Sequence, residues 1–316
     1  MARQSQSALA SLLLVSRSVP SVERPLGAKE YWSLIERVED PARLLGCDVA
    51  TLEQLVGPKL APRVALLLDR ATALALELER LEHAGTATLS PFDDLYPTRW
   101  RERLGTSAPA LVHAVGPARL LDRGGVAIVG SRDVGPEAAE VAKTAAVAAA
   151  RAGRVVISGG ARGTDRLAMN AAIGAEGEVV GILADALTKT ANDADVRRFI
   201  GDERLCLATP YAPTAPFSAG NAMGRNKLIY STADVTLVIA SDLNRGGTWT
   251  GATEALKQDN GRVMVWLGEG AGAGNAALAE RGALGLTDLG LVDDLAASVI
   301  AAPTALRQPE QLGLHL

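Results

Sequence analysis

Four short glycine-containing segments carry most of the residues in this 316-residue chain that could do chemistry. Each lies between an apolar run and a stretch with helical periodicity, which predicts a turn leading into a helix. Such turns bind anions, most often phosphate, because glycine allows close backbone approach and a helix start leaves N–H groups unpaired. The residues expected to contact phosphate are Gly130, Ser131, Arg132, Ser158, Gly159, Gly160, Arg162, Gly163, Arg225, Asn226, Lys227, Gly246, Gly247 and Thr248.

The third segment places a cation, an amide and a second cation in succession. We expect Arg225, Asn226 and Lys227 to stand at the start of a helix whose Leu228 and Ile229 face the sheet. An arginine fork beside a lysine point charge can hold a phosphate group.

Other chemistries are disfavoured by what the segments lack. The glycine spacing matches neither a dinucleotide fingerprint nor a P-loop, so no cofactor is predicted. The histidines, at 83, 113 and 315, lie away from the predicted strand ends, which argues against a Ser-His-Asp relay. Helix capping accounts for the nearby carboxylates Asp165 and Glu254 more simply than acid–base catalysis does. No catalytic residue or metal ligand is predicted, and the chain is expected not to be an enzyme.

The elements that must position these turns alternate between strand and helix. Nearly continuous apolar runs of this kind indicate an α/β fold, with a parallel sheet covered by helices on both faces and all carboxyl ends at one edge. The runs that read as buried strands are 126–130, 154–158, 178–184, 204–208, 235–240 and 262–266. Basic residues in the turns would then form a positive groove on a chain whose net charge is −4.

The rest of the chain divides into three parts. Residues 1–86 have a helical pattern, including one long helix from Pro62 to Glu82, and predict a small all-α accessory domain. Residues 87–302 form the sheet domain, with a short strand at Ala110–Val115 and weak helix over 277–300, and residues 303–316 read as a loose tail.

Composition supports a globular protein of the cytoplasm. Hydrophobic residues make up 48% of the chain and charged residues 22%, which excludes wholesale disorder. No apolar run reaches the length of about 18 residues that a membrane span needs. Cys47 and Cys206 have no partner spacing for a disulfide framework or a zinc site, which fits packed thiols in a reducing compartment.

The order of motifs over residues 88–266 resembles the DNA-processing protein A family (DprA, also called Smf). The motifs are SPFDDLYP, APALVHAVG, VAIVGSR, VISGGARGTD, GRNKLI, GGTWTGATEA and GRVMVW. The resemblance implies a Rossmann-like domain that binds single-stranded DNA as a homodimer and helps to load a RecA-type recombinase during natural transformation. The matching positions are Ser131 and Arg132, Ser158, Gly159 and Arg162, and Arg225 to Lys227.

The sequence departs from the family pattern in four places, one of which is the absence of a Gly-Ile-Gly hairpin from the N-terminal domain. Met169 stands where the family usually has a histidine, and Lys227 replaces the second arginine of its Arg-Asn-Arg motif. The segment after Pro303 is shorter than the winged-helix domain that some members carry. These departures suggest a divergent member.

Two alternatives remain open beside capture of single-stranded DNA through its phosphate backbone. The turn RGGTWTGATE also looks like the loop of nucleotide phosphoribohydrolases of the LOG type, in which Glu254 and an arginine would cleave a nucleoside monophosphate. A sensor of a small nucleotide-derived signal, built on the same fold, is the other alternative.

Overall fold

The computed structural model describes residues 4–289. The expected tail at 303–316 lies outside the described residues, as does the part of the expected weak helix beyond residue 289.

Helices dominate the first third of the chain and then alternate with strands. Their bounds are α1 (Gln6–Val15), α2 (Ala28–Val38), α3 (Val49–Val56), α4 (Ala61–Leu68), α5 (Ala71–His83), α6 (Thr98–Leu104), α7 (Pro136–Arg151), α8 (Thr164–Gly174), α9 (Leu187–Ala191), α10 (Ala194–Gly201), α11 (Ala219–Thr232), α12 (Gly246–Gln258) and α13 (Asn275–Glu280). Short 3-10 turns occur at Pro41–Leu44, Gly105–Ser107 and Ala118–Asp122. Across residues 4–289, no helix combines the length and the apolar character that crossing a membrane requires.

One mixed sheet runs through the molecule. Its strands are β1 (Thr86–Leu89), β2 (Val112–Val115), β3 (Val126–Val129), β4 (Val156–Ser158), β5 (Val179–Ile182), β6 (Leu205–Thr209), β7 (Val235–Val238), β8 (Arg262–Trp266) and β9 (Leu284–Leu286). The spatial order is β1-β2-β6-β5-β4-β3-β7-β8-β9. All pairs from β6 to β9 are parallel, whereas β2 pairs antiparallel with both β1 and β6.

The predicted fold class is confirmed. All six predicted buried strands are present as β3 to β8, and the short strand expected near 110–115 is β2. The short strands β1 and β9 were not predicted, and β9 falls within a segment for which weak helix was expected.

Helices cover both faces of the sheet, as period-two alternation along the strands requires. In β3, Val126 and Ile128 belong to the hydrophobic cluster that contains the alanines of α7 and α8. Ala127 and Val129 belong to the opposite cluster, which contains residues of α11 and α12 and continues into the N-terminal helices. The domain boundary after residue 86 stays a prediction.

Helix α6 fixes the C-terminal end of α11, the helix that carries the third predicted segment. Trp100 is fully buried, and its Nε1 donates to Thr232 Oγ1 at 2.7 Å. Arg99 Nη1 donates to the Thr232 carbonyl at 2.6 Å, and Arg103 Nη1 donates to the carbonyls of Ser231 and Ala233. Two guanidinium groups thus satisfy carbonyls that a helix C-terminus leaves unpaired, which holds α11 in place.

The single long helix expected from 62 to 82 is wrong, because α4 and α5 are separate helices with Arg70 between them. Arg70 is only 9% exposed, and its Nη1 donates to the carbonyls of Ser16 and Val19 at 3.2 Å each. Its Nη2 donates to the Leu13 carbonyl. The break therefore places a buried guanidinium on the C-terminal end of α1, a tertiary contact with no local sequence signal.

Replacing Arg70 should destabilise the fold. Arg70→Met keeps most of the apolar stem but leaves buried carbonyls at the end of α1 unpaired, so we expect a loss of about 2–4 kcal/mol in the free energy of unfolding. Urea denaturation followed by circular dichroism measures it. The matched control is Arg80→Met, which removes an exposed ion pair with Glu77 and should cost at most about 0.5 kcal/mol. Equal midpoints for the two variants would contradict this role of Arg70.

Candidate functional site

Two cavities meet at the carboxyl edge of the parallel strands. The first, here called the α8 cavity, has a volume of about 800 Å³ and is lined by residues of α8, α9, α10 and the turn after β4. The second, the α12 cavity, has a volume of about 630 Å³ and is lined by the turn after β3, one face of α11 and the start of α12. Arg132, Ala161, Phe217 and Arg225 line both cavities, so the two form one continuous rim.

Eleven of the fourteen predicted phosphate contacts are brought together at this rim. They are Gly130, Ser131, Arg132, Gly159, Gly160, Arg162, Arg225, Asn226, Gly246, Gly247 and Thr248. The remaining three, Ser158, Gly163 and Lys227, line neither cavity. The structure thus brings together the turns after β3 and β4 and the start of α12, and their role in binding phosphate stays a prediction.

Ser158 and Gly163 have structural roles in the turns and do not line the cavities. Ser158 is fully buried, and its Oγ donates to the Ile128 carbonyl at 2.6 Å, which ties β4 to β3. Gly163 has φ of +85°, and a Cβ there would overlap the Arg132 carbonyl. Only glycine adopts this conformation without strain, so the position is structural.

The expected helix start at Arg225 is wrong. Helix α11 begins two turns earlier, where Ser218 Oγ accepts a hydrogen bond from the backbone N–H of Asn221 at 3.0 Å. Gly220 and Gly224 lie inside the helix, although glycine usually signals a loop. Arg225, Asn226 and Lys227 are therefore in the middle of a helix rather than at its N-terminal end.

Consecutive helical residues point about 100° apart, so these three side chains reach different places. Arg225 Nη1 donates to the Ile182 carbonyl at 2.9 Å, at the end of β5. Asn226 Nδ2 donates to the Gly247 carbonyl at 3.1 Å, in the first turn of α12. Lys227 Nζ donates to the Ser107 carbonyl at 3.0 Å, away from the rim. Lys227 thus does not join the predicted phosphate contacts.

Arg225 is the buried cation of the site. It is 5% exposed, and its Nη1 lies 4.0 Å from Asp165 Oδ2. Burial lowers the pKa of Arg225, and the charge of Asp165 opposes that shift. Its Nε is buried without a hydrogen-bond partner among the described residues. Arg225 therefore lies beneath the exposed residues of the rim, where the two cavities meet.

Asp165 is not the helix cap that its sequence position suggested. The N-cap of α8 is Gly163, and the buried Asp165 carboxylate instead accepts a hydrogen bond from the Gly159 N–H at 3.1 Å. Burial raises the pKa of Asp165, and the charge of Arg225 opposes that rise. The carboxylate connects the second glycine turn to Arg225.

The start of α12 provides the anion-binding geometry that the fourth segment predicted. Thr248 Oγ1 donates to the Gly130 carbonyl at 2.9 Å, which joins the first glycine turn to α12. Gly246, Gly247 and Thr248 line the α12 cavity. Because the first N–H groups of a helix lack intrahelical partners and lie at the positive end of its dipole, this end of the cavity can hold an anion.

Among the exposed cations that line the rim, Arg162 and Arg245 are paired with carboxylates, whereas Arg132, Arg166 and Lys189 make no ion pair with the described residues. Arg162 Nη2 lies 2.7 Å from Asp133 Oδ1, and Arg245 Nε lies 3.3 Å from Asp242 Oδ2. Arg132 makes no ion pair within residues 4–289, and its guanidinium lies 5.2 Å from the centre of the Phe217 ring. Six aspartates and six cations line the two cavities, so the positive groove expected from the sequence is largely balanced by carboxylates.

Phe217 and Arg166 are among the rim residues that were not identified from the sequence. Phe217 is 55% exposed and lines both cavities, and Arg166 is exposed in the first turn of α8 and lines the α8 cavity. One signal was available for Phe217: it directly precedes Ser218, the cap of the helix that carries Arg225. Arg166 follows the third glycine of its turn by three residues, but nothing in its local pattern separates it from an ordinary solvated helix residue.

Glu254, the carboxylate that a phosphoribohydrolase would require, lies away from the cavities. It is eight residues beyond Gly246, about 12 Å further along α12. It is not among the residues that line the α8 or α12 cavity. The described site therefore lacks the carboxylate that this alternative assigned to catalysis.

The position of the buried Arg225 should depend on the absence of a side chain at Gly159. A Cβ at this position would overlap the Arg225 guanidinium, so Gly159→Ala must displace Arg225 or shift the turn. We expect a loss of about 2–4 kcal/mol in the free energy of unfolding, because the displaced group leaves a buried Asp165 without its cation.

Gly174→Ala is the matched control, since a Cβ at this position in α8 meets no heavy atom within 4 Å. It should be neutral or stabilise the protein by up to about 1 kcal/mol. Chemical denaturation of both variants measures the difference, and a Gly159→Ala protein as stable as the unmodified chain would show that Arg225 is not packed as described.

Comparison with known proteins places these features in a family. A family model described as DNA recombination-mediator protein A matches residues 87–292. A putative DNA processing protein DprA from Mycobacterium tuberculosis is 29% identical over 248 residues, covering 70% of this chain and 62% of that protein. This chain therefore spans less than two thirds of the length of the curated relatives it matches.

Two solved structures share the fold. DNA processing protein A from Streptococcus pneumoniae superposes with a TM-score of 0.60 at 20% identity, covering 86% of this chain and 98% of that one. DNA processing protein A from Helicobacter pylori, described for its single-stranded DNA binding mode, has a TM-score of 0.55 at 22% identity and covers 67% of this chain and 96% of that one.

Proposed function

This chain belongs to the DNA recombination-mediator protein A family, and from that membership we propose that it binds single-stranded DNA at the rim. The observation that carries the proposal is the junction of the two cavities, where the Arg132 guanidinium lies over the exposed Phe217 ring. A cation beside an exposed aromatic face offers both groups that an unpaired nucleotide needs, one for its phosphate and one for its base.

Phosphate binding on this proposal uses three kinds of donor. Arg132 is exposed and makes no ion pair among the described residues, so its five N–H donors are available to a phosphate. Arg162 is held by an exposed pair with Asp133, which contributes little stability and can exchange for a phosphate. The first N–H groups of α12 complete the set at the other cavity.

On this proposal, the contacts that the protein makes with the bases do not require a particular DNA sequence. Phe217 and Met223 are 55% and 54% exposed and both line the α12 cavity, where they provide an apolar wall. Every base has a π-face that stacks on an aromatic ring, so stacking on Phe217 would discriminate weakly between sequences. The buried Arg225 would stay in place beneath the bound DNA and support the turns that contact it, rather than contact the DNA itself.

The partners and location follow from the family rather than from the site. We propose that the protein acts as a homodimer in the cytoplasm and passes the bound strand to a RecA-type recombinase during processing of incoming DNA. We propose no catalytic step and no cofactor, because the glycine turns hold neither a dinucleotide fingerprint nor a P-loop. The two-domain division at residue 86 is part of the same proposal.

The salt dependence of binding tests the role of Arg132. Each phosphate neutralised on a single strand contributes about 0.7 to the slope of log K against log salt. Arg132→Gln should therefore reduce the slope for oligothymidylate by about 0.7 and weaken binding at low salt by about tenfold or more. Fluorescence anisotropy over a salt series gives both quantities.

Lys143→Gln is the control for that series, because Lys143 is an exposed cation on α7, pairs with Glu140 and lines neither rim cavity. It should leave the slope unchanged. If the two variants give the same slope, Arg132 does not contact phosphate.

Removing the aromatic ring should weaken binding without changing the salt slope. Phe217→Ala deletes a stacking platform worth about 1–3 kcal/mol per base, so affinity for oligothymidylate should fall by about 5- to 150-fold. Phe217→Trp should retain the affinity, because an indole also stacks. A Phe217→Leu protein that binds as tightly as the unmodified chain would exclude stacking at this position.

A further inference from the structure

A third cavity lies on the opposite side of α11 from the rim. We call it the α11 cavity; its volume is about 420 Å³, and its walls are the loop between α1 and α2, the segments 107–113 and 210–215, and one face of α11. Asn221, Gly224, Lys227 and Leu228 recur at helical spacing and contribute that face. The remaining walls are mainly apolar.

The α11 cavity carries positive charge, and no carboxylate lines it among the described residues. Arg17 and Lys227 line it, and no aspartate or glutamate is among the described residues that do. His113, which also lines it, is held neutral because burial lowers its pKa to about 4. In this respect the α11 cavity differs from the rim, where Arg162 and Arg245 are paired with aspartates.

Lys227 is the more buried of the two cations that line the α11 cavity. Its half-buried ammonium donates one hydrogen bond, to the Ser107 carbonyl at 3.0 Å, and has no carboxylate within 4 Å among residues 4–289. An ammonium carries three donors, so two find no partner among the residues that the structure describes. Burial lowers the pKa of Lys227 because its charge is partly desolvated, and the charge of Glu254, which does not line the cavity, opposes that shift without cancelling it. A ligand anion would compensate that charge.

We propose that the α11 cavity binds a small organic anion, with its charged group at Lys227 and an apolar body against Leu26, Leu111 and Leu228. The volume lies within the range of about 300–1,000 Å³ that is typical of small-molecule sites, and apolar walls with a few polar groups are their usual composition. Arg17, which is exposed, stands where it can contact the anion on entry.

The same helix separates this site from the rim. Ala222, Met223, Asn226 and Ile229 of α11 line the α12 cavity, whereas Gly224, Lys227 and Leu228 line the α11 cavity. Asn226, the residue directly before Lys227 in this helix, holds the first turn of α12 through the Gly247 carbonyl. Occupancy of the α11 cavity thus changes the affinity for single-stranded DNA; this coupling, unlike the site itself, rests on the proposed function.

The probe for this site is 8-anilinonaphthalene-1-sulfonate, which joins one anionic group to an aromatic body and fluoresces when it leaves water. Titration of the full chain should show saturable binding at one equivalent. Lys227→Met keeps the alkyl stem and removes the charge, and it should weaken binding by about tenfold or more. Ala212→Trp, which fills the cavity from a half-exposed loop position, should block binding while Lys227 remains.

Two control variants locate the probe. Lys143→Met and Arg132→Gln remove cations outside the α11 cavity and should leave its affinity unchanged. Circular dichroism of every variant confirms that it is folded. Absence of saturable binding to the unmodified chain, full binding by both Lys227→Met and Ala212→Trp, or loss of binding in Arg132→Gln alone would each overturn the proposal.

A second measurement tests the coupling. Saturating probe should change the dissociation constant for oligothymidylate by at least about threefold, and Lys227→Met should abolish that change. An unchanged dissociation constant would overturn the coupling but not the site. Failure of the unmodified chain to bind oligothymidylate would contradict the proposed function, and the probe titration would still decide whether the cavity binds an anion.

Discussion

The structure of the rim depends on one buried guanidinium that packs against a glycine. Arg225 contacts the end of β5 through the Ile182 carbonyl and approaches Asp165 of α8, and it occupies the space left by the missing Cβ of Gly159. A cation removed from water is costly unless such partners are present. The glycine, the aspartate and the arginine therefore constrain one another, although Arg225 lies far from the other two in the sequence. Since α6 also holds the C-terminal end of α11, the helix is fixed both at its middle, where Arg225 lies, and at its C-terminus.

Most of the fold could be predicted because burial leaves a strong pattern in the sequence. The run at 235–240 is apolar at nearly every position and forms β7, which has parallel neighbours on both sides. The strands that were missed lie at the two edges of the sheet. An edge strand such as β9 has exposed residues and only three positions, so it lacks the continuous apolar run. Arg70 illustrates a further limit, because the helix break around it is stabilised by carbonyls about 50 residues away in the chain.

The turns that form the candidate site could be predicted from the sequence, but the directions of the side chains around them could not. Glycine turns after parallel strands converge for topological reasons, and the turns after β3 and β4 and the start of α12 do so here. Arg225, Asn226 and Lys227 were grouped because they are adjacent in sequence, yet helical geometry directs them to three different places. Phe217 was missed for the converse reason, since it reaches Arg132 only through the fold.

The charge distribution bears on which form of DNA the rim would select under the proposed function. The chain carries a net charge of −4, and Arg162, Arg225 and Arg245 each have an aspartate nearby. Long-range attraction to a polyanion is therefore weak, and affinity has to come from short-range contacts at Arg132, Phe217 and the start of α12. Stacking on Phe217 requires an exposed base face, which a duplex hides and a single strand offers. A rim whose charges are largely balanced thus favours single-stranded DNA. A duplex could make only the electrostatic contacts, which are the weaker ones at this site, and not the stacking contacts.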